Sequence, residues 1–374
     1  MSFDPPPYPY GRLDVLRSIA QHHDGGPIDC SIGTPVDAPP QVALDELARA
    51  TGVRGYPPSQ GTLDLRQSAS DWMNRRFGLE LSHDDLAACV GTKEFVGTLA
   101  GYLHLRDPQR DTVLYPAISY PTYAMSATLA GLRAVPVAML DGRLDVESIR
   151  PEDVQRALVL WSNSPSNPTG ALDDLEGLAS WGRRHGVLVA SDECYAEFTW
   201  SSRAHSILEH GLDGVLAVHS ISKRSNLAGA RAGFYAGDRE LVAYLRSVRQ
   251  HAGFMVAAPI QAMVAAAYRD DQHVEVQRSV YHSRLEVMSH ALAAFGVDAP
   301  MPEGSFYLWC HRDGEDGWKL AESLAEIAGL VVSPGEFYGE AGRDFVRLAV
   351  VQPNERLALA AARLRGDVLA STMA

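Results

Sequence analysis

The fold of this chain turns on one stretch, "AVHSISKRSNLAGARAGFYAG", residues 217–237. An apolar run ends in Ser220-Ile221-Ser222-Lys223, small residues follow, and Arg231 stands eight positions after the lysine. The chain has only three lysines, Lys93, Lys223 and Lys319, among its 33 basic residues. Chemistry that needs a primary amine therefore has few places to occur. A lysine amine is a weak nucleophile at neutral pH until its pKa falls or it is held as an imine. Around Lys223 the small side chains of Ser220, Ser222 and Ser225 leave room for a large planar group.

Outward from this stretch, the segments "RDTVLYPA", "RALVLWSNS", "GVLVASDEC" and "GVLAVHSIS" are Leu-rich or β-branched, without polar alternation. Such runs suit strands of a parallel sheet buried on both faces. Between them, "LEGLASWGRRHG" has helical periodicity and a glycine as stop signal. This alternation predicts an α/β fold whose large domain is a doubly wound, mainly parallel sheet. We expect that domain over residues 36–274, with residues 1–35 (an N-terminal arm and a short helix) and 275–374 forming a smaller α/β domain. The segment "DDQHVEVQRSVYHSRLEVMSHALAAFG" reads as one long helix bridging into the C-terminal part.

Composition sets the class. A net charge of −13 argues against nucleic acid or an anionic membrane as partner. No apolar run reaches the ~18 residues of a membrane helix. The four cysteines, Cys30, Cys89, Cys194 and Cys310, form no CxxC pair and fit reduced thiols. The opening "MSFDPPPYPYGRLDV" has neither the basic segment nor the apolar run of a signal peptide. A cytoplasmic protein is the expectation. The 13 histidines lack metal-ligand spacing, so no metal site is expected; His219 is expected to pack in or beside the sheet.

In open α/β sheets, ligands bind outside the carboxyl ends of the strands. The four predicted strands end at residues 117–120, 163–170, 192–195 and 220–223, an unusually polar set. Ser220, Ser222 and Arg231 suit phosphate oxygens. A second anion cradle appears in "CVGTKEFVGTLAGYL", where Gly91 and Thr92 open a helix whose free N–H groups favour a phosphate; Lys93 lies alongside. An imine-forming amine beside two phosphate-binding elements points to pyridoxal 5'-phosphate. Asp192 can pair with its ring nitrogen, Asn167 and Tyr195 with its phenolic oxygen, and Tyr120 can cover its ring.

With "SNSPSNPTG", "SDECY", "SISKRSNLAGARAG" and "FVRLAV" in this order and spacing, the chain resembles the class I/II aminotransferases, the fold-type I family of pyridoxal-phosphate enzymes. The resemblance implies that Lys223 bonds the cofactor and shuttles the proton, with Asp192 and Tyr195 assisting. It implies that Arg347, with Gly33 and Asn167 nearby, holds the substrate α-carboxylate. It implies a homodimer with shared active sites, in which Tyr56 of "RGYPPSQG" reaches the phosphate held by a partner subunit. The substrates would be an amino acid and a 2-oxo acid, with 2-oxoglutarate and glutamate as one pair.

Further agreement in "SIGTPVDAPP", "SKRSNLAG" and "HAGFMV" resembles the short actinobacterial N-succinyl-LL-2,6-diaminopimelate aminotransferases of lysine biosynthesis. Ala230, where a bulky residue is expected, and the Pro/Tyr-rich N-terminus depart from that type. An aminotransferase for a different amino acid, or a lyase on the same fold, stays open. Arg12, Lys93 and Arg249 are candidates for reading a distal carboxylate, which the sequence does not decide.

Overall fold

The computed structural model describes residues 9–366. The first eight residues of the expected arm lie outside them. The chain divides into two compact units. The larger comprises Asp37–Ser279 with Glu303–Ser305; the smaller comprises the chain up to Val36, Val280–Pro302 and the chain from Phe306 onward.

The larger unit is built on seven strands: β1 (Leu86–Cys89), β2 (Thr112–Pro116), β3 (Arg133–Val137), β4 (Ala157–Asn163), β5 (Leu188–Asp192), β6 (Val215–Ser220) and β7 (Gly233–Gly237). Their order across the sheet is β1-β7-β6-β5-β4-β2-β3. Neighbours from β6 through to β3 run parallel, while β7 is antiparallel to both β6 and β1. Each residue of β4 and of β6 is buried, as expected of strands covered on both faces. Alternate strand residues feed two separate apolar clusters. One holds Trp72, Trp181, Phe234 and Tyr268; the other holds Phe95, Tyr123, Trp161 and Tyr235.

The order in which strands are added reverses at β2, where β3 extends the sheet on one side and β4 on the other. The parallel strands β2, β4, β5 and β6 therefore deliver Pro116, Asn163, Asp192 and Ser220 to the same edge. The predicted helix appears as Leu175–His185, capped by Asp174, whose carboxylate accepts from the Gly177 amide, and ending at Gly186.

In the smaller unit, β8 (Tyr307–His311), β9 (Ser333–Pro334) and β10 (Phe345–Ala349) form an antiparallel sheet in the order β8-β10-β9. Ile28–Asp29 pairs in parallel with Leu330–Val331. The long helix is continuous over Gln272–Ala294, and the changeover between units falls inside it, where composition gives no break. Glu303 joins the larger unit because its carboxylate accepts from the Leu172 amide and pairs with Arg143, 2.7 Å away. Among the described residues, no helix is long and apolar enough to cross a membrane.

Candidate active site

At the end of β5, Asp192 is buried. The Tyr123 hydroxyl donates to its Oδ2 at 3.0 Å, and the Cys194 amide to its Oδ1 at 3.3 Å. Burial holds the Asp192 carboxyl above the usual aspartate range, and the donors from Cys194 and Tyr123 pull it back. The Cys194 thiol is also pushed up, first by burial and then by Asp192, while Lys223 opposes the rise.

Asn163, the last residue of β4, ties two of the expected groups together. Its Nδ2 donates to the Asp192 carbonyl at 2.8 Å, and its Oδ1 accepts from the Asn167 amide at 2.7 Å. Tyr195 and Asn167 are both buried. Tyr120 lies edge-on to Tyr123, and the Lys93 Nζ sits 5.6 Å from the Tyr120 ring centroid.

Lys223 lies in a four-residue helix, Ile221–Arg224, that starts where β6 stops. Ser220 caps it: its Oγ accepts from the Ser222 amide at 3.0 Å and donates to the Ser222 hydroxyl at 2.8 Å. Arg224 fixes the other end. It is buried, with Nε 3.1 Å from Glu197 Oε1 and Nη2 2.9 Å from Asp271 Oδ1. Trp72 Nε1 donates to the same Glu197 oxygen at 2.8 Å, and Arg76 pairs with the other at 2.9 Å.

Arg231 adopts left-handed backbone angles (φ 51°, ψ 56°), and its Nη1 donates to the Ala228 carbonyl at 2.8 Å. Its guanidinium lies against Gly91, the residue that caps the helix Thr92–Arg106. A Cβ on Gly91 would stand 2.4 Å from Arg231 Nη2, and Gly91 has φ +77°. The positive φ is what calls for glycine there, since the end of the Arg231 side chain can shift. An arginine meeting a helix N-terminus forms an anion seat. A buried carboxyl with neutral donors receives a cationic ring nitrogen. These groups fit pyridoxal phosphate.

Tyr56 is 97% exposed on the larger unit. His219 is buried against Trp72, Phe77 and Phe234, with Nε2 3.1 Å from Glu193 Oε2.

In the smaller unit, Arg347 of β10 is 2% exposed. Its Nη2 donates to the Ser31 carbonyl, and the rings of Tyr307 and Tyr338 lie 4.2 and 4.9 Å from its guanidinium carbon. Gly33 admits the Tyr307 phenol: a Cβ there would come 2.1 Å from the Tyr307 hydroxyl. Two of the distal-carboxylate candidates already hold carboxylates. Arg12 pairs with Glu336 at 2.6 Å, and Arg249 with Glu94 at 2.7 Å. Sequence reasoning gave no role to Tyr123, Asn163, Glu197, Tyr307 or Tyr338. Asn163 stood at the start of the polar strand end 163–170, and Tyr123 in the YPTY context three residues after Tyr120.

Residues 27–364 match the family described as aminotransferase class I and II. The chain is 43% identical, over 96% of its length and 99% of the relative's, to the 4-dedimethylamino-4-oxo-anhydrotetracycline transaminase OxyQ of Streptomyces rimosus. It is 32% identical to the LL-diaminopimelate aminotransferase of Aquifex aeolicus, over 96% of each. Among solved structures, a probable N-succinyldiaminopimelate aminotransferase from Thermus thermophilus superposes with a TM-score of 0.86 at 31% identity, covering 96% of this chain and 99% of that one. The chain belongs to the class I and II aminotransferases. It is a transaminase of fold type I that uses pyridoxal phosphate.

Proposed function

We propose that this enzyme moves an amino group between glutamate/2-oxoglutarate and a diaminopimelate-type substrate, N-succinyl-LL-2,6-diaminopimelate. The observation that carries the site reading is the meeting of Arg231 with Gly91 at a helix N-terminus, on the unit that also holds Asp192 and Lys223. In this reading Lys223 bonds the cofactor and moves the proton at the substrate Cα. The bound cofactor supplies a sink for the electron pair left on Cα. Asp192, held by Tyr123, keeps the ring nitrogen protonated, and Asn167 and Tyr195 hold the phenolic oxygen. Gly91, Thr92, Ser220, Ser222 and Arg231 seat the phosphate, with Lys93 beside them and Tyr120 over the ring. Arg347 grips the substrate α-carboxylate bidentately, with Gly33, and so fixes Cα. The enzyme is a homodimer in which Tyr56 completes the site of the partner subunit.

The substrate reading is supported by the diaminopimelate names of the Aquifex and Thermus relatives and by the segments "SKRSNLAG" and "HAGFMV". A second reading, transfer onto a ring ketone of a polycyclic acceptor, is favoured by the 43% identity to the Streptomyces rimosus transaminase. The test is a panel: succinyldiaminopimelate, LL-diaminopimelate and other amino acids as donors to 2-oxoglutarate, and glutamate as donor to 4-dedimethylamino-4-oxo-anhydrotetracycline. The first reading predicts the highest kcat/KM for succinyldiaminopimelate. Preference for the polycyclic ketone would replace it with the second.

A further inference from the structure

Beneath the phosphate seat of the larger unit lies a buried ion pair that the reading above does not use. Arg249, in the helix Arg239–His251, is 2% exposed. Its Nη1 and Nη2 donate to Oε1 and Oε2 of Glu94, each at 2.7 Å. The rings of Phe254, Phe95 and Tyr235 stand 5.1, 5.4 and 5.7 Å from its guanidinium carbon. Glu94 is the third residue of the helix Thr92–Arg106. Its Oε2 also accepts from the Val90 amide at 3.1 Å, and its Oε1 from the Thr98 hydroxyl at 3.2 Å. One carboxylate thus spans the Val90-Gly91-Thr92 turn, and one arginine grips both its oxygens.

An acid in the first turn of a helix is ordinarily favourable, because it meets the positive end of the dipole. At this helix the same end is the proposed phosphate seat. An unpaired Glu94 carboxylate, its side chain only 16% exposed, would compete there with a phosphate dianion. It is nevertheless the group that braces the turn carrying Gly91. The pairing with Arg249 resolves the conflict: the brace is kept and its charge is cancelled.

We propose that Arg249 is a positioning residue for the cofactor phosphate, acting through Glu94, whose charge it neutralises while Glu94 holds the Gly91 turn. The proposal rests on the phosphate role given above to Gly91, Thr92 and Arg231. Arg249 has no catalytic contact in this account, and its commitment to Glu94 removes it from the candidates for a distal carboxylate.

The test measures binding of pyridoxal phosphate and of pyridoxal, which lacks the phosphate, to apoprotein by absorbance and fluorescence. Arg249→Met should weaken pyridoxal phosphate by at least about tenfold, since it strands a buried charge, and leave pyridoxal within about twofold. Adding Glu94→Gln to Arg249→Met should return most of the loss. Glu94→Gln alone should hold or tighten pyridoxal phosphate binding, which keeps the test decisive should Arg249→Met not fold. Arg231→Met serves as control and should weaken pyridoxal phosphate. If it weakens binding while Arg249→Met does not, the role of Arg249 is overturned and the seat stands. A double variant as weak as Arg249→Met, equal losses for pyridoxal, or weaker binding by Glu94→Gln would reduce the pair to packing. An Arg231→Met variant without effect would remove the seat, and the proposal with it.

Discussion

Asp192 is buried at a strand end with a phenol and an amide as donors. Its folded pKa is raised by burial, which fixes the sign of its linkage to stability. In the apoprotein it contributes stability below the ordinary aspartate value of about 3.9. That contribution is lost as pH rises through the raised folded value. Thermal melts of apoprotein against pH should therefore show wild type losing ground to Asp192→Asn across that window; a constant difference would contradict the assignment. In the holoenzyme Asp192→Asn should lower turnover by on the order of a hundredfold or more, since charge stabilisation at the reacting system is lost. The sequence exposed Asp192 because it closes an apolar run. Tyr123 was not legible as its partner: the two are 69 residues apart and meet only through the order of strands.

Short elements in this enzyme are fixed by what lies behind them. The helix Ile221–Arg224 has four residues, too few to stand alone. Ser220 caps its start, and Arg224 is locked to Glu197, which also takes Trp72 and Arg76. Glu197→Ala would leave Arg224 buried without that partner and should cost about 3–5 kcal/mol. Urea denaturation checks this, and a loss below about 1 kcal/mol, the range of an exposed pair, would contradict it. The apolar runs of β2, β4, β5 and β6 announced themselves because both faces of each strand are covered. The remaining strands were harder to read. β3 carries a proline, which an edge strand tolerates. β7 contains glycines at both ends, and its antiparallel direction is set by pairing with β6 and β1, which no local pattern encodes. Glu197 follows the SDECY segment as an ordinary acidic residue; only the structure shows it as a hub.

At the scale of the whole molecule, the sequence indicated an α/β pyridoxal-phosphate site because the chemistry-bearing residues fall at strand ends, while the transaminase reading came from the resemblance carried by those motifs. Where one unit passes into the other was less legible, since the changeover lies inside a continuous helix. Tyr56, 97% exposed, takes its proposed role only in an assembly. Mixing subunits tests this. Tyr56→Phe should bind cofactor weakly and Lys223→Ala should be inactive, yet a hybrid dimer of the two should hold one intact site and regain activity. No gain on mixing would place Tyr56 in its own subunit's site or in none. The account as a whole depends on which amine holds the cofactor. Borohydride reduction of the holoenzyme followed by peptide mapping reads that directly. The label is predicted on the peptide containing Lys223; a label on Lys93 or Lys319, or none at all, would contradict the assignment.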